Sequence, residues 1–302
     1  MTLLDRTIVR LLPAVPKPVV QLFSSRYIAG STLEDAVRVV RRLNGEGKLA
    51  TIDVLGEEIT RESEARAIAE GYRDVFVAIE HEQLDSNISV KPTALGLDLS
   101  YDLCLDNLES LLREAAKNGN FVRIDMEDSS TTSETLRLYR ELRERGFDNV
   151  GVVLQAYLRR SLDDVLALAD LKPNVRLCKG IYVEPPSIAF TDHDATRANY
   201  VRCLDALLDA GAYVGIATHD EWLIGEALAR VEQLEPSEYE FQMLLGVREQ
   251  RAGELVESSH RLRVYVPFGE HWYQYSLRRL QENPAMAGTV ARATVGRVFG
   301  RS

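Results

Sequence analysis

The chain has 302 residues, 45% of them hydrophobic and 27% charged. That is enough to build one substantial core without disulfides or a structural metal. Its formal net charge of −10 argues against bulk electrostatic attraction to nucleic acid. Three cysteines (Cys104, Cys178, Cys203) with no CxxC pair read as reduced thiols, and the five histidines show neither HxxxH nor HExxH spacing, so no zinc site is expected.

The opening stretch MTLLDRTIVRLLPAVPKPVVQLF has apolar runs, but Asp5, Arg6, Arg10, Lys17 and three prolines interrupt them. No run approaches the ~20 apolar residues of a membrane span. No signal-peptide cleavage pattern follows. Residues 1–45 are expected to form a helical arm. From residue 48 a rhythm sets in. The run LATIDVL (49–55) is followed by the helical stretch ESEARAIAEGYRDVFVAIEH. NISVKP (87–92) leads into SYDLCLDNLESLLREAAKNG, where Leu103, Leu105, Leu108, Leu111 and Leu112 fall on one face and Gly119 is placed to cap the C-terminus. FVRIDME (121–127) precedes SETLRLYRELRERG, which ends the same way at Gly146. VGVVLQAY (150–157), VRLCKGIY (175–182), AYVGIATH (212–219) and YEFQMLLG (239–246) each precede another helical stretch, and LRVYVPFG (262–269) precedes QYSLRRLQEN.

Eight β–α pairs in strict alternation predict an α/β fold, a closed parallel barrel with helices outside. An open doubly wound sheet is the alternative. No strand is followed by GxGxxG and no GxxxxGK[ST] occurs, so a nucleotide fingerprint is absent. The division expected is a helical arm over 1–45, a barrel over 46–285 and a tail over 286–302.

Catalytic residues of such barrels sit at the C-terminal ends of the strands. Polar residues gather there: Asp53 and Glu57 after run one, Lys91, Asp125 and Gln155 after the next three, Arg176 and Lys179 in run five, Thr218 and His219 in run six, Gln242 in run seven and Tyr265 in run eight. Unpaired buried charges are costly. A charged or amide group near every strand end is therefore read as convergence on one cavity. Arg176 and Lys179, with Tyr182 beyond them, suit an anion or an electron-rich ring. Tyr275 and Arg279 share a helix face, and the pair Arg278–Arg279 suits a bidentate grip on a carboxylate. A solvated basic helix surface would read the same way from that segment alone.

The strings SVKP, RIDMED, VVLQAY, RLCKGIY, IATHD, EFQMLLG and YVPFG…YSLRR, in this order over about residues 45–285, resemble the proline dehydrogenases. The likeness extends both to the monofunctional bacterial enzymes and to the dehydrogenase domain of bifunctional proline-utilisation proteins. The resemblance implies a distorted (βα)8 barrel of TIM type whose last helix lies over the mouth, non-covalent FAD at the strand ends, and hydride transfer from L-proline. By resemblance, Arg278 and Arg279 bind the proline carboxylate with Lys91 nearby. Tyr265 and Tyr275 pack over the proline ring, with Leu244 as a wall. Gln155, Arg176, Lys179, Gly180, Ile181, Thr218, His219 and Glu282, with the backbone around Met126, contact the flavin. Asp125 and Arg176 stand nearest the chemistry, and Glu57 pairs with Arg278 as a gate over bound substrate. Tyr265 stands where hydroxyproline-preferring members carry a smaller residue, which implies a preference for proline.

The resemblance also implies a membrane quinone as electron acceptor and a cytoplasmic location on the inner face of the membrane. Segment 278–302, with five arginines against one glutamate, carries Val290, Val295, Val298 and Phe299 and is read as a candidate peripheral membrane contact. No nucleic-acid partner and no metal are expected. Oligomeric state stays open, a homo-oligomer included. Two other readings of the same barrel remain at this point: a different flavin enzyme such as a folate reductase, and a phosphate-binding aldolase or isomerase.

Overall fold

The computed structural model describes residues 26–56, 59–273 and 276. In chain order the elements are α1 (Leu33–Gly45), β1 (Leu49–Val54), α2 (Glu62–His81), β2 (Ser86–Val90), α3 (Tyr101–Lys117), β3 (Val122–Ile124), α4 (Thr132–Glu144), β4 (Val150–Gln155), α5 (Ser161–Leu168) with a 3-10 turn (Ala169–Leu171), β5 (Asn174–Cys178), α6 (His193–Asp209), β6 (Tyr213–Ala217), α7 (Glu221–Val231), β7 (Tyr239–Leu244), α8 (Glu249–Glu257) and β8 (Leu262–Phe268). The eight strands pair in sequence order and close, all parallel, with β1 alongside β8 from Leu49–Arg263 to Val54–Phe268. The closed barrel excludes the open sheet.

The strands form where the apolar runs fall because each is covered on both sides. Side chains alternate along a strand. Ile52, Ile88, Val122, Val152, Leu177, Ile216 and Phe241 face outward into the helices and are fully or almost fully buried. Their neighbours Asp53, Arg123, Arg176, Glu240, Gln242, Arg263 and Tyr265 face the lumen; bonds from β8 to β3 and from β5 to β7 can be made only across it. Helix ends are set by sequence signals: Thr32 and Asp35 form a capping box on α1, Ser100 caps α3, Asp192 caps α6 and Asp220 caps α7. Gly119 and Gly146 sit just past α3 and α4 with φ of 63° and 88°, the left-handed turn that ends a helix.

Residues 33–45, at the end of the expected arm, pack as α1 against β1 and β8 through Ala36, Val40 and Leu43. They cover the seam of the barrel, the wall position that a helix following β8 would otherwise take. The chain just before α1 is tied to the rim, with Ala29 N donating to Pro267 O at 2.9 Å and Gly269 N to Gly30 O at 3.0 Å. The predicted helix QYSLRRLQEN, apart from Ser276, lies outside the described residues, as do the tail and most of the arm.

Candidate active site

At the C-terminal mouth a cavity of about 340 Å³ is lined by Lys91, Asp125, Met126, Glu127, Val153, Gln155, Arg176, Cys178, Lys179, Gly180, Ile181, Tyr182, Ala217, Thr218, His219, Gln242, Met243, Leu244 and Tyr265. Of the site residues expected from the sequence that lie among the described residues, all but Asp53 are in this lining. Glu57, Tyr275, Arg278, Arg279 and Glu282 lie outside them.

Asp125 is the hub. It follows β3, and its Oδ1 accepts from Arg176 Nη1 at 2.8 Å while Oδ2 accepts from the Tyr265 hydroxyl at 2.9 Å. Lys91 Nζ stands 3.7 Å from the same Oδ2 and 2.9 Å from Asp53 Oδ2. The Arg176 guanidinium also lies over the Tyr265 ring, 5.3 Å from its centroid. Asp53 is fully buried and does not reach the cavity. The Tyr72 hydroxyl of α2 stands 3.2 Å from Asp53 Oδ1, donates to Ser89 O at 2.8 Å and accepts from Val54 N, so α2 fixes β1, β2 and the carboxylate together. Burial opposes the charge on Lys91, but Asp53, with Tyr265 and Asp125 behind it, holds its pKa well above the usual lysine value. Burial and the charge of Asp125 push the Asp53 carboxyl up against the pull of Lys91. A proton therefore stays at this pair, and Lys91 presents a fixed cation to the cavity.

Lys179 separates from Arg176. Its Nζ stands 3.2 Å from Asp220 Oδ2, a carboxylate that also takes Arg197 Nη2 at 2.7 Å and Arg197 Nε at 2.9 Å. The Arg197 guanidinium, helped by Lys179, holds the Asp220 carboxyl well below the usual range. His219 Nε2 accepts from Leu244 N at 3.0 Å, which fixes its ring as an acceptor on that side. Gln155 donates to Glu127 O at 2.7 Å, and Glu127 in turn accepts from both Thr93 N and Thr93 Oγ1. Gly180 lies so near Tyr157 that a Cβ would stand 1.9 Å from its ring. Deeper in the lumen Gln242 donates to Glu240, and Glu240 accepts from Arg263 Nε at 2.7 Å. Arg123, at the floor, donates to Val152 O and Asn174 O; burial, with Arg176 adding to it, lowers its pKa to about 9.

The roles of Tyr72, Asp220, Glu240, Arg263 and Arg123 were not read from the sequence. A signal was present in two-residue spacing: Glu240 with Gln242, Arg263 with Tyr265, and Arg123 with Asp125 share the inner face of their strands.

The mouth can hold an anion or an electron-rich ring: Lys91 and Arg176 supply cations, Gln155 an amide, and Val153, Met126, Met243, Leu244 and Ile181 a largely apolar wall. A flat heterocycle with acceptor atoms fits that donor set. Among the described residues no group of three or more His, Cys, Asp or Glu could hold a metal ion, and no helix is long and apolar enough to cross a membrane.

The closed parallel barrel, with its charged residues converging at the C-terminal mouth, places the chain among the (βα)8-barrel enzymes. The family model for proline dehydrogenase matches residues 36–292. The chain is 42% identical over 274 residues to proline dehydrogenase 1 of Bacillus subtilis, covering 90% of each. It is 35% identical over 275 residues to the proline dehydrogenase of Deinococcus radiodurans, covering 89% of each. Among solved structures, proline utilization A from Bdellovibrio bacteriovorus inactivated by N-propargylglycine superposes with a TM-score of 0.83 at 27% identity; the match covers 92% of this chain and 36% of that one. The chain belongs to the proline dehydrogenase family.

Proposed function

We propose that the chain oxidises L-proline to 1-pyrroline-5-carboxylate with non-covalently bound FAD. The observation that carries this reading is the Asp125 hub, with Lys91, Arg176 and Tyr265 brought to one cavity in a chain of this family. Bound FAD would supply the two-electron acceptor. Oxidation breaks the C–H bond beside nitrogen, hydrogen and electron pair leaving together as hydride. The nitrogen, having lost its amine proton, closes the C=N bond with its lone pair.

The chain's own residues position and tune. Gln155, Arg176, Lys179, Thr218 and His219, with the backbone at Met126, Gly180 and Ile181, would hold the cofactor. Arg176 places positive charge where negative charge grows during the reaction. Lys91, held protonated, serves as a cation for the substrate carboxylate rather than as a base. Tyr265 and Leu244 would wall the proline ring. The assignments of Arg278 and Arg279 to the carboxylate, Tyr275 to the ring, Glu282 to the cofactor and the Glu57–Arg278 pair to a gate fall outside the described residues and belong to the same proposal. So do a quinone acceptor and a peripheral membrane contact through segment 278–302.

Anaerobic mixing with L-proline tests the reading. The protein should co-purify with FAD released by mild denaturation, and proline should bleach its yellow absorbance. FAD that stays oxidised with excess L-proline, or FMN or a covalent flavin in its place, would overturn it.

A further inference from the structure

Below the cavity the lumen holds two charged groups that do not line it, Glu240 and Arg263, joined to it through Gln242, which does. Glu240, almost fully buried, accepts from Arg263 Nε at 2.7 Å and from Gln242 Nε2 at 2.6 Å. The Gln242 oxygen accepts from Arg176 Nε at 2.5 Å. The partners leave the amide one orientation. An ionised carboxylate only accepts, so it takes the amide NH2, and a guanidinium only donates, so it takes the amide oxygen. Burial opposes the charge on Glu240, but Arg263 and the Gln242 amide bring its pKa below the usual value, so it stays an acceptor.

Arg176 is thereby held on three sides. Nη1 is bound by Asp125, Nε by Gln242, and the guanidinium lies over the Tyr265 ring. Nη2 takes part in neither bond, and Arg176 lines the cavity. The neighbouring strand makes room for the arrangement. A Cβ on Gly215 would stand 2.5 Å from Gln242 Nε2 but 3.6 Å from the Arg176 Cα, so the glycine clears space for the amide and not for the arginine.

We propose that Glu240 and Gln242 are positioning residues for Arg176: the Arg263-bound carboxylate orients the Gln242 amide, and the amide fixes the guanidinium with its remaining edge toward the cavity. The inference rests on the FAD reading above. It extends the site down the barrel, from Gln242 in the cavity lining to Glu240 and Arg263, which lie outside it. A cation held at a fixed distance favours the more negative, reduced form of a bound flavin. Releasing it should lower the midpoint potential.

The test uses full-length protein with FAD bound, and compares wild type with Gln242→Leu, Gly215→Ala and Tyr239→Phe. Gln242→Leu removes the relay. Gly215→Ala displaces the amide from a different strand without altering a hydrogen-bonding group, and it carries the test alone if the first variant does not fold. Tyr239, whose hydroxyl bonds His260 on the outer side of the same strand, controls for loss of stability. Both relay variants should make the reduced state about tenfold less favoured, a drop of ~30 mV for a two-electron couple, and should weaken FAD binding. Tyr239→Phe should lower the melting temperature and leave the potential in place. Potentials of both relay variants equal to wild type overturn the relay alone. A wild-type chain that binds no FAD overturns the cofactor reading and the proposal with it.

Discussion

The two faces of the same eight strands have opposite chemistry. Outward, Ile52, Val122, Leu177, Ile216 and Phe241 meet the helices with apolar side chains only. Inward, one residue away on β1, β3, β5 and β7, stand Asp53, Arg123, Arg176, Glu240 and Gln242. Apolar contact needs no particular partner, so the outer face stabilises the fold through area and close packing. Buried charges stabilise little and become a liability when a partner is lost. On the inner face Lys91 is paired with Asp53, Arg176 with Asp125 and Arg263 with Glu240, while Arg123 donates to neutral oxygens only; the cost of holding charges there sets that face apart from the one that stabilises the fold.

Single substitutions on the two faces should therefore give different kinds of damage. The largest effect is expected outside. Phe241→Ala should cost about 3–5 kcal/mol of stability, read by denaturant titration, while the activity of the folded fraction stays near wild type. Arg176→Met, two strands over but facing in, should lower kcat/KM for proline by about 10²-fold, or ~2.7 kcal/mol. Asp125 keeps the Tyr265 hydroxyl and the nearby Lys91 cation, so the variant's melting temperature should fall less than that of Phe241→Ala. If both variants lost stability and activity in parallel, the division between the faces would be wrong.

Asp220 lies on neither face; it ties the loop after β5 to α6 and α7. Asp220→Asn removes charge-assisted bonds worth about 2 kcal/mol. The carboxyl is held below its ordinary value of 3.8 by Arg197 and Lys179. Its contribution is therefore complete above that value and is lost as pH falls through the depressed one. The gap in melting temperature between wild type and variant should be constant near neutrality and close on acidification below about pH 4; a gap that persists in acid would contradict the assignment. The smallest shift expected is in Asp53→Asn. Without the carboxylate, burial dominates at Lys91 and lowers its pKa. The basic limb of the pH–rate profile should then move down by about one unit or more, equivalent to ~1.4 kcal/mol, and an unmoved limb would show that Asp53 does not set the charge.

The outer face was legible in the sequence. An apolar run buried on both sides of a sheet and followed by a helical period has few other readings, and all eight runs became strands. Run three, FVRIDME, shrinks to Val122–Ile124 because the chain beyond β3 turns its side chains to tertiary partners, Asp125 to Arg176 and Tyr265, and Glu127 to Thr93. On the inner face the residue types were legible and their pairings were not. Arg176 and Lys179 stand three positions apart and read as one basic site, yet each has its own carboxylate, Asp125 and Asp220, brought from a different β–α unit. Such partners are set by barrel closure, which no local pattern encodes. Helix α1 carried its signal openly: Ala36, Val40 and Leu43 recur at helical spacing, and only its docking site on β1 and β8 required the closed structure.

The seam between β1 and β8 also constrains how the chain acquires its fold. Arg263 donates to the carbonyl of Ala50 across a separation of 213 positions, and α1, made before β1, rests on both strands. A nascent chain emerging from the ribosome has β1 early and its neighbour β8 last. Through most of synthesis β1 has a free edge, with backbone groups able to pair with another chain. Contacts of such long separation make folding slow and leave intermediates prone to aggregate. The covering of that seam by α1, itself an early segment, allows a helix to sit over the β1 edge while the remaining seven strands are made.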